Sequence, residues 1–389
     1  MEVTTLILNC VLLTYLGGSV VYFLFFAWGA RKQPKEVYFP TSIPTDHHLV
    51  LIPAYKEDEV IVDTVRKALE VDYSGEYDVV VIADGLQGVT LGQLKQLDCQ
   101  VIRFHDENPT KAKALFYALQ QLHQDYSTVT ILDADNWMHP DYLTEISHSF
   151  WKGYRVVQGC RTAKNEDTQV ALWDGFSEAW NNQIFGTGHM GHGLPPRLIG
   201  SGMAFSYSLI YSLLKNMDAV GGFDKALELE LAARDIAIDY NPKAVVYDEK
   251  VSNLNTFQKQ RRRWTSAQFH YFRRHAGSAF QAAISDRNWA YLNKTVQMIL
   301  PPKMSIPTGL GAALLINIAL GHMGWSVAHA ACLLGLATAV QLTMPQGYSW
   351  QKLTQSAGTF FRMAVISTTN LFRLRGANKR FIHTPHQAH

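Results

Sequence analysis

Asp133-Ala134-Asp135 closes the apolar run "STVTILDAD" (127–135). Two carboxylates one residue apart at a strand end can hold one hard divalent cation, or divide labour around it. Mg2+ and Mn2+ both prefer oxygen ligands and usually bridge one or two carboxylates to substrate phosphates. A second acidic pair, Glu228 and Glu230 in "DKALELELAARD", has two readings. Acidic residues suit the positive end of a helix without further purpose. Alternatively, one of them takes the proton from an attacking hydroxyl. The third cluster is "QKQRRRW" (258–264). Such a run is either a solvated basic face or a set of donors for an anion. With a nucleoside diphosphate on a metal at Asp135, arginine and glutamine donors suit its oxygens, and Trp264 offers a face for a sugar ring.

These residues need a scaffold. From His48 to about Cys160, "HLVLIPAY", "YDVVVIAD", "CQVIRFH", "STVTILDAD" and "YRVVQGC" read as strands. "EDEVIVDTVRKALE", "LGQLKQL" and "TKAKALFYALQQLHQ" read as the helices between them. This alternation predicts a parallel sheet covered on both faces, with ligands at the carboxyl ends of its strands. Tyr55, Lys56 and Glu57 follow the first strand, Asp84 ends the second, and Asp133 and Asp135 follow the fourth. There is no G-x-G-x-x-G and no G-x-x-x-x-G-K-[ST]. A diphosphate here therefore needs a metal and basic side chains in place of a glycine cradle.

Charge is distributed unevenly along the chain. No Asp, Glu, Lys or Arg occurs between Glu2 and Arg31, a run long enough for one bilayer crossing. A second uncharged stretch, Met304 to Gln351, breaks at "GHMG" and predicts two helices, about 305–321 and 324–344. Arg31, Lys32 and Lys35 after the first helix, and Arg373, Arg375, Lys379 and Arg380 in the tail, place both the middle and the tail inside. "FFRMAVISTTNLFRLR" has the mixed pattern of an interfacial helix. The expected organisation is a transmembrane helix over 1–30, a cytoplasmic catalytic domain over 31–275 and interfacial helices over 276–303. Two transmembrane helices follow over 304–345, then an amphipathic helix and tail over 346–389. The expected setting is an inner or plasma membrane. A formal net charge of +2 and one short basic run exclude a nucleic-acid role. Four scattered cysteines make no disulfide framework. His189 and His192 in "GTGHMGHGLPPR" read as an acceptor-side or gating loop, and His383, His386 and His389 as solvated.

In order along the chain, "IPAYKE" (52–57), "IADG" (82–85), "TKAKALFYAL" (110–119), "LDAD" (132–135), "GSGMAF" (200–205), "LELEL" (227–231) and "QRRRW" (260–264) resemble the signatures of membrane-embedded, inverting family-2 glycosyltransferases. That group includes cellulose, chitin, hyaluronan and poly-N-acetylglucosamine synthases. The resemblance covers roughly residues 48–270. It implies an α/β, GT-A-type (Rossmann-like) domain, flanking transmembrane helices, a nucleotide-sugar donor such as a UDP-sugar, and Mg2+ or Mn2+. Residue by residue, it implies that Tyr55, Glu57 and Asp84 hold base and ribose, with Lys111 near the nucleotide. Asp133 faces the donor and Asp135 ligates the metal. Gly202 and Met203 line the acceptor side, and Glu228 is the base, with Glu230 the competing assignment. Gln260 and Arg263 meet the pyrophosphate, and Trp264 the acceptor sugar. Leu227-Glu228 stands where the family has Glu-Asp, Ala83 where it has an aspartate, and Thr110 where it has a glycine. The implied product is a β-linked polysaccharide, and the acceptor a growing saccharide. Three membrane helices are few for a sugar channel, so subunits would assemble into a homo-oligomer or an export partner would carry the product. Otherwise the enzyme makes single transfers to a polyprenyl or other lipid-linked acceptor. An inactive scaffold with a degenerate transferase fold is the remaining alternative.

Overall fold

The structure, a computed structural model, describes residues 2–32, 46–122, 125–217, 219 and 221–373. Lys35, Arg375, Lys379, Arg380 and the three tail histidines lie outside them. One eight-stranded sheet has the order β3-β2-β1-β4-β7-β6-β8-β5. In chain order its strands are β1 (His48–Tyr55), β2 (Tyr77–Asp84), β3 (Gln100–Arg103), β4 (Thr128–Ile131), β5 (Trp137–Met138), β6 (Val156–Ala163), β7 (Met203–Ser206) and β8 (Asp239–Asp248). Along β1 the side chains alternate between two apolar layers. Leu49 and Leu51 join one, and Val50, Ile52 and Ala54 the other. A strand buried on both faces reads as a continuous hydrophobic run, which is why β1 and β2 are visible in the sequence.

The five strands read from the sequence run parallel, as expected, but two further strands make the sheet a mixed one. β1 to β4 pair in parallel, but β7 runs antiparallel to both β4 and β6, and β5 antiparallel to β8. The reason is the path of the chain. β6 ends at the ligand edge, and the helices that follow (Gln169–Asn181, Asn182–Thr187 and Gly188–Met190) lie beyond it. The chain then re-enters at that same edge through Arg197–Gly202, so β7 must run backwards.

A helical layer covers the ligand edge. The N-terminal helix, Val3–Ala30, is 28 residues long with mean hydropathy 2.0, and Met323–Leu342 has 20 residues at 1.5. Both are long and apolar enough to cross a bilayer. The helix expected over 305–321 is Ser305–Ala319, 15 residues, about 22 Å and short of a ~30 Å hydrocarbon core. Asn9 and Asn317 clasp this helix to the first by reciprocal amide hydrogen bonds of 3.2 and 2.9 Å. The helix carrying "QRRRW" spans Leu254–Ser285 without a break, so the expected domain boundary at 275 falls inside it. The tail helix, Ala357–Asn370, buries Met363 and Ala364 in the helical layer while Phe361 and Val365 stay exposed. Its end is tied to the long helix, with Asn370 donating to Gln258 O at 3.1 Å and Arg262 donating to Arg373 O at 2.6 Å.

"GTGHMGHG" is a packed joint rather than a gating loop. His189 is fully buried and stacks on Phe26 at 3.7 Å, while His192 stacks on Phe25 at 3.9 Å and donates from Nε2 to Phe25 O at 2.8 Å. The backbones touch because glycines meet there. A Cβ at Gly191 would lie 2.1 Å from Gly29 O, and one at Gly29 would lie 2.4 Å from Gly188 O. Gly191→Ala is therefore expected to destabilise the protein by about 1–3 kcal/mol through overpacking. Gly277→Ala, in open space on the long helix, should stabilise it by about 0.5–1 kcal/mol. Thermal melts of the two variants should move in opposite directions.

Candidate active site

A cavity of about 500 Å³ opens along the carboxyl ends of β1, β2 and β4 and runs towards the helical layer. Of the residues singled out in the sequence, it collects Tyr55, Glu57, Asp84, Lys111, Asp133, Asp135, Gln260, Arg263 and Trp264. Lys111 opens its helix behind Thr110, whose hydroxyl caps Lys113 N. Its ammonium donates to Asp133 Oδ1 at 2.5 Å and Gly200 O at 2.7 Å. Burial pushes the Asp84 carboxyl up, opposed by His105 and Lys56. Burial likewise pushes the Arg263 guanidinium down, opposed by the charges of Asp133 and Asp224, which line the same cavity. Gln260 Oε1 is buried with no hydrogen-bond partner among the described residues, an acceptor left for a ligand's donor.

Helical spacing gives the three consecutive arginines three directions. Arg261 pairs with Asp174 and lies 4.2 Å over the Trp264 ring. Arg262 turns to the tail helix, and Arg263 turns into the cavity. The basic run is thus neither a solvated face nor a uniform anion patch.

Three expected site residues do not line the cavity. Glu228 is 0% exposed and accepts from Lys294 Nζ at 2.5 Å, and Lys294, also 0% exposed, donates as well to Pro196 O at 2.6 Å. The helix Trp289–Gln297 delivers that lysine and seals Glu228 beneath the floor. Gly202 and Met203 are fully buried in the entry to β7. Gly202 takes φ +59° and donates to Ile131 O at 2.9 Å, and a Cβ on it would lie 2.9 Å from Val246. Their segment serves the site through Gly200 O and through Ser201, whose hydroxyl accepts from Asp133 N at 2.9 Å and donates to Asn136 Oδ1 at 2.5 Å. The competing Glu230 is exposed on the outside of its helix and binds Arg234 at 2.6 Å.

Sequence reasoning missed two further features. Asp224, one helical turn before Glu228, is the carboxylate of that helix that lines the cavity. Lys225, 2.8 Å away, and Lys111 hold its pKa below the ordinary carboxylate range against the effect of burial. Its signal was the "GGFD" helix start, where Gly222 takes φ +69°. The back wall is an ionic lattice. Arg161 and Lys250 share Glu178 and Asp248, and Asn136 donates to Asp248 at 2.8 Å. Apart from Asp248 and Lys250, the partners lie 17 to 112 residues apart in sequence, so no local spacing betrays the lattice.

Two carboxylates of the cavity lining, Asp133 and Asp135, offer a hard cation oxygen ligands. Among the described residues no cluster of three or more His, Cys, Asp or Glu side chains is arranged around a metal. The donor set therefore fits Mg2+ or Mn2+ held jointly with a phosphate substrate, and it does not fit an all-protein cage.

No match is found among curated proteins. Among solved structures, the chain is similar to a mannosyltransferase from Pyrobaculum calidifontis in complex with GDP-Man and Mn2+. The identity is 19%, with 94% of this chain and 99% of that chain covered and a TM-score of 0.56. It is also aligned with the glucosyl-3-phosphoglycerate synthase of Mycobacterium tuberculosis at 17% identity, over 53% of this chain and 77% of that one, with a TM-score of 0.36. The first likeness supports the GT-A type of fold. Residues 44–267 match the family described as glycosyltransferase like family 2, more than half of the 389-residue chain and all of the sheet. The chain belongs to glycosyltransferase-like family 2.

Proposed function

We propose that this protein is an inverting, divalent-metal-dependent glycosyltransferase that takes a sugar from a nucleotide-sugar, with UDP-sugars the first choice. The observation that carries this reading is the convergence of Asp133, Asp135, Lys111, Gln260 and Arg263 on one cavity from three separate parts of the chain. Tyr55, Glu57 and Asp84 hold the base and ribose at the strand ends. Lys111 and Arg263 bind phosphate oxygens, and Trp264 stacks on the acceptor sugar. Asp133 and Asp135 hold Mg2+ or Mn2+, which when bound neutralises charge on the leaving diphosphate. An acceptor hydroxyl oxygen forms the new bond to the anomeric carbon as the bond from that carbon to the diphosphate breaks. The electron pair leaves with the diphosphate, and the proton passes to Asp224, the carboxylate that faces the cavity. In-line attack turns an α-linked donor into a β-linked product.

The protein is proposed to sit at a membrane through Val3–Ala30 and the hairpin of Ser305–Ala319 and Met323–Leu342, with the catalytic domain and the tail both on the cytoplasmic side. The cavity supports an acceptor arriving from the membrane side, because Phe23, Leu300, Met304 and Ser367 of the helical layer form its far wall. This favours a saccharide carried on a lipid. Polymerisation to a β-linked polysaccharide is the second reading, supported by the "QRRRW" motif, and it calls for further subunits or an export partner.

The test is nucleoside diphosphate release by the full-length protein in detergent, with Mn2+ or Mg2+, against UDP- and GDP-sugars. Expected is metal-dependent release with one donor, lowered by about 10²–10³-fold in Asp135→Ala. Lipid-extractable product supports the single transfer, and long product the polymer. Release that ignores the metal and Asp135 would sink the metal-dependent reading, and no donor binding at all would sink the transferase reading in favour of an inactive scaffold.

A further inference from the structure

The turn that carries the acidic pair is held by a chain of buried hydrogen bonds. Asn136, the next residue, is fully buried, and its backbone N–H closes the turn on Asp133 O at 3.0 Å. Its side chain donates from Nδ2 to Asp248 Oδ1 at 2.8 Å and accepts at Oδ1 from the Ser201 hydroxyl at 2.5 Å. Ser201, equally buried, accepts from Asp133 N at 2.9 Å. This chain runs in one direction only. Asp248 is paired with Lys250 at 2.5 Å and lies 3.8 Å from Arg161, so it stands as a carboxylate and can only accept. The Asn136 amide must therefore turn its nitrogen to Asp248 and its oxygen to Ser201. The Ser201 proton then goes to Asn136, which leaves the lone pairs of the hydroxyl for Asp133 N–H, a group that can only donate. Ser201 itself is fixed by Gln158, whose amide donates to Ser201 O and accepts from Ile199 N, both at 3.0 Å.

We propose that Asn136 and Ser201 are positioning residues for the metal-binding pair. Through them the ionic lattice of the back wall sets the angle at which Asp133 and Asp135 present their oxygens. This rests on the transferase reading above and adds what keeps its metal site in shape. Both side chains are buried and bonded within the chain, so they act through the turn and not on the cation directly. Mg2+ demands near-octahedral oxygen geometry, so a loosened turn lowers its affinity before it changes the fold. Groups that hydrogen-bond behind metal ligands are typically worth about 10–100-fold in metal affinity. The lattice thereby gains a task beyond forming a wall. Its two buried cations keep Asp248 ionised, and Asp248 keeps the Asn136 amide aligned.

The test uses the full-length protein in detergent with saturating UDP and, in parallel, GDP. Mn2+ is titrated in, free Mn2+ is read by electron paramagnetic resonance, and Asp135→Ala supplies the background from the nucleotide alone. Expected for Ser201→Ala and Asn136→Ala is Mn2+ binding weakened by about 10–100-fold. Gly191→Ala, which lies outside the chain, should keep the wild-type affinity although its melting temperature falls. Asn136→Asp sets a second carboxylate against Asp248 and should also weaken binding. Asn136→Asp/Asp248→Asn exchanges donor and acceptor, still leaves Ser201 an acceptor, and should bind Mn2+ more tightly than Asn136→Asp alone. A merely structural role would not produce that recovery. An equal loss in Gly191→Ala overturns the proposal, because the effect would then be one of general stability. An exchange variant no tighter than Asn136→Asp also overturns it. If the Asn136 variants do not fold, Ser201→Ala decides, since it deletes a single hydroxyl. Absence of Asp135-dependent Mn2+ binding by the wild type with either nucleotide defeats the metal-dependent reading itself. Such binding left unchanged in Ser201→Ala defeats only the present inference.

Discussion

Asp224→Asn is expected to lower kcat by about 10²–10⁴-fold, the range for losing a general base. The asparagine keeps the shape and loses only the ability to take a proton, so the donor KM should change little. The effect should be largest near neutral pH, where Lys225 and Lys111 keep the wild-type carboxylate ionised. Glu228→Gln is the matched comparison one turn away. Steady-state kinetics of the two, corrected for folded protein, separate the cavity-facing carboxylate from the one the family pattern indicates. If Glu228→Gln loses the greater part of kcat while Asp224→Asn keeps it, the proton goes to Glu228 and the site must open to expose it.

The second large effect concerns that buried pair. Removing one member of a fully buried ion pair strands the other, at about 3–5 kcal/mol. Glu228→Gln should therefore show a lower melting temperature, with Lys294 as the stranded partner. Burial already holds the Lys294 pKa down at about 8 against the opposing pull of Glu228. Without Glu228 it falls further, and the unfolded chain then binds a proton that the native state does not. Stability of the variant rises with pH wherever that holds, so its deficit should shrink between pH 6.5 and 8, where the wild type gains little. The double variant Glu228→Leu/Lys294→Met should recover most of the stability. A deficit that does not depend on pH, or a double variant no better than the single, would show that the pair does not carry the strain assigned to it.

β1, β2, the Asp133–Asp135 pair and the arginine cluster were legible in the sequence because each is a local pattern. A doubly buried strand is a hydrophobic run, and an acidic pair on a pocket wall needs only a strand end. The reversed direction of β7 was not legible, because it follows from where the chain re-enters the sheet after the helices at 169–190. The burial of Glu228 was not legible for a related reason. Its neighbours in sequence match a motif, but its environment is set by Lys294, 66 residues away.

The glycine contact of residues 29, 188 and 191 makes a calibrated spacer of the first helix. Backbone meets backbone there, braced by the stacked rings of His189 and His192, so the cavity hangs at one fixed height from the end of the first helix. Lengthening the chain after Lys32 leaves that height alone, because the clamp lies before it. Inserting one residue between Phe26 and Gly29 advances the helix by about 1.5 Å and turns it by roughly 100°, which takes Gly29 out of the joint altogether. In a membrane setting, acceptors would accordingly be sorted by the distance between their apolar end and their reacting hydroxyl, before any sugar-specific contact is made.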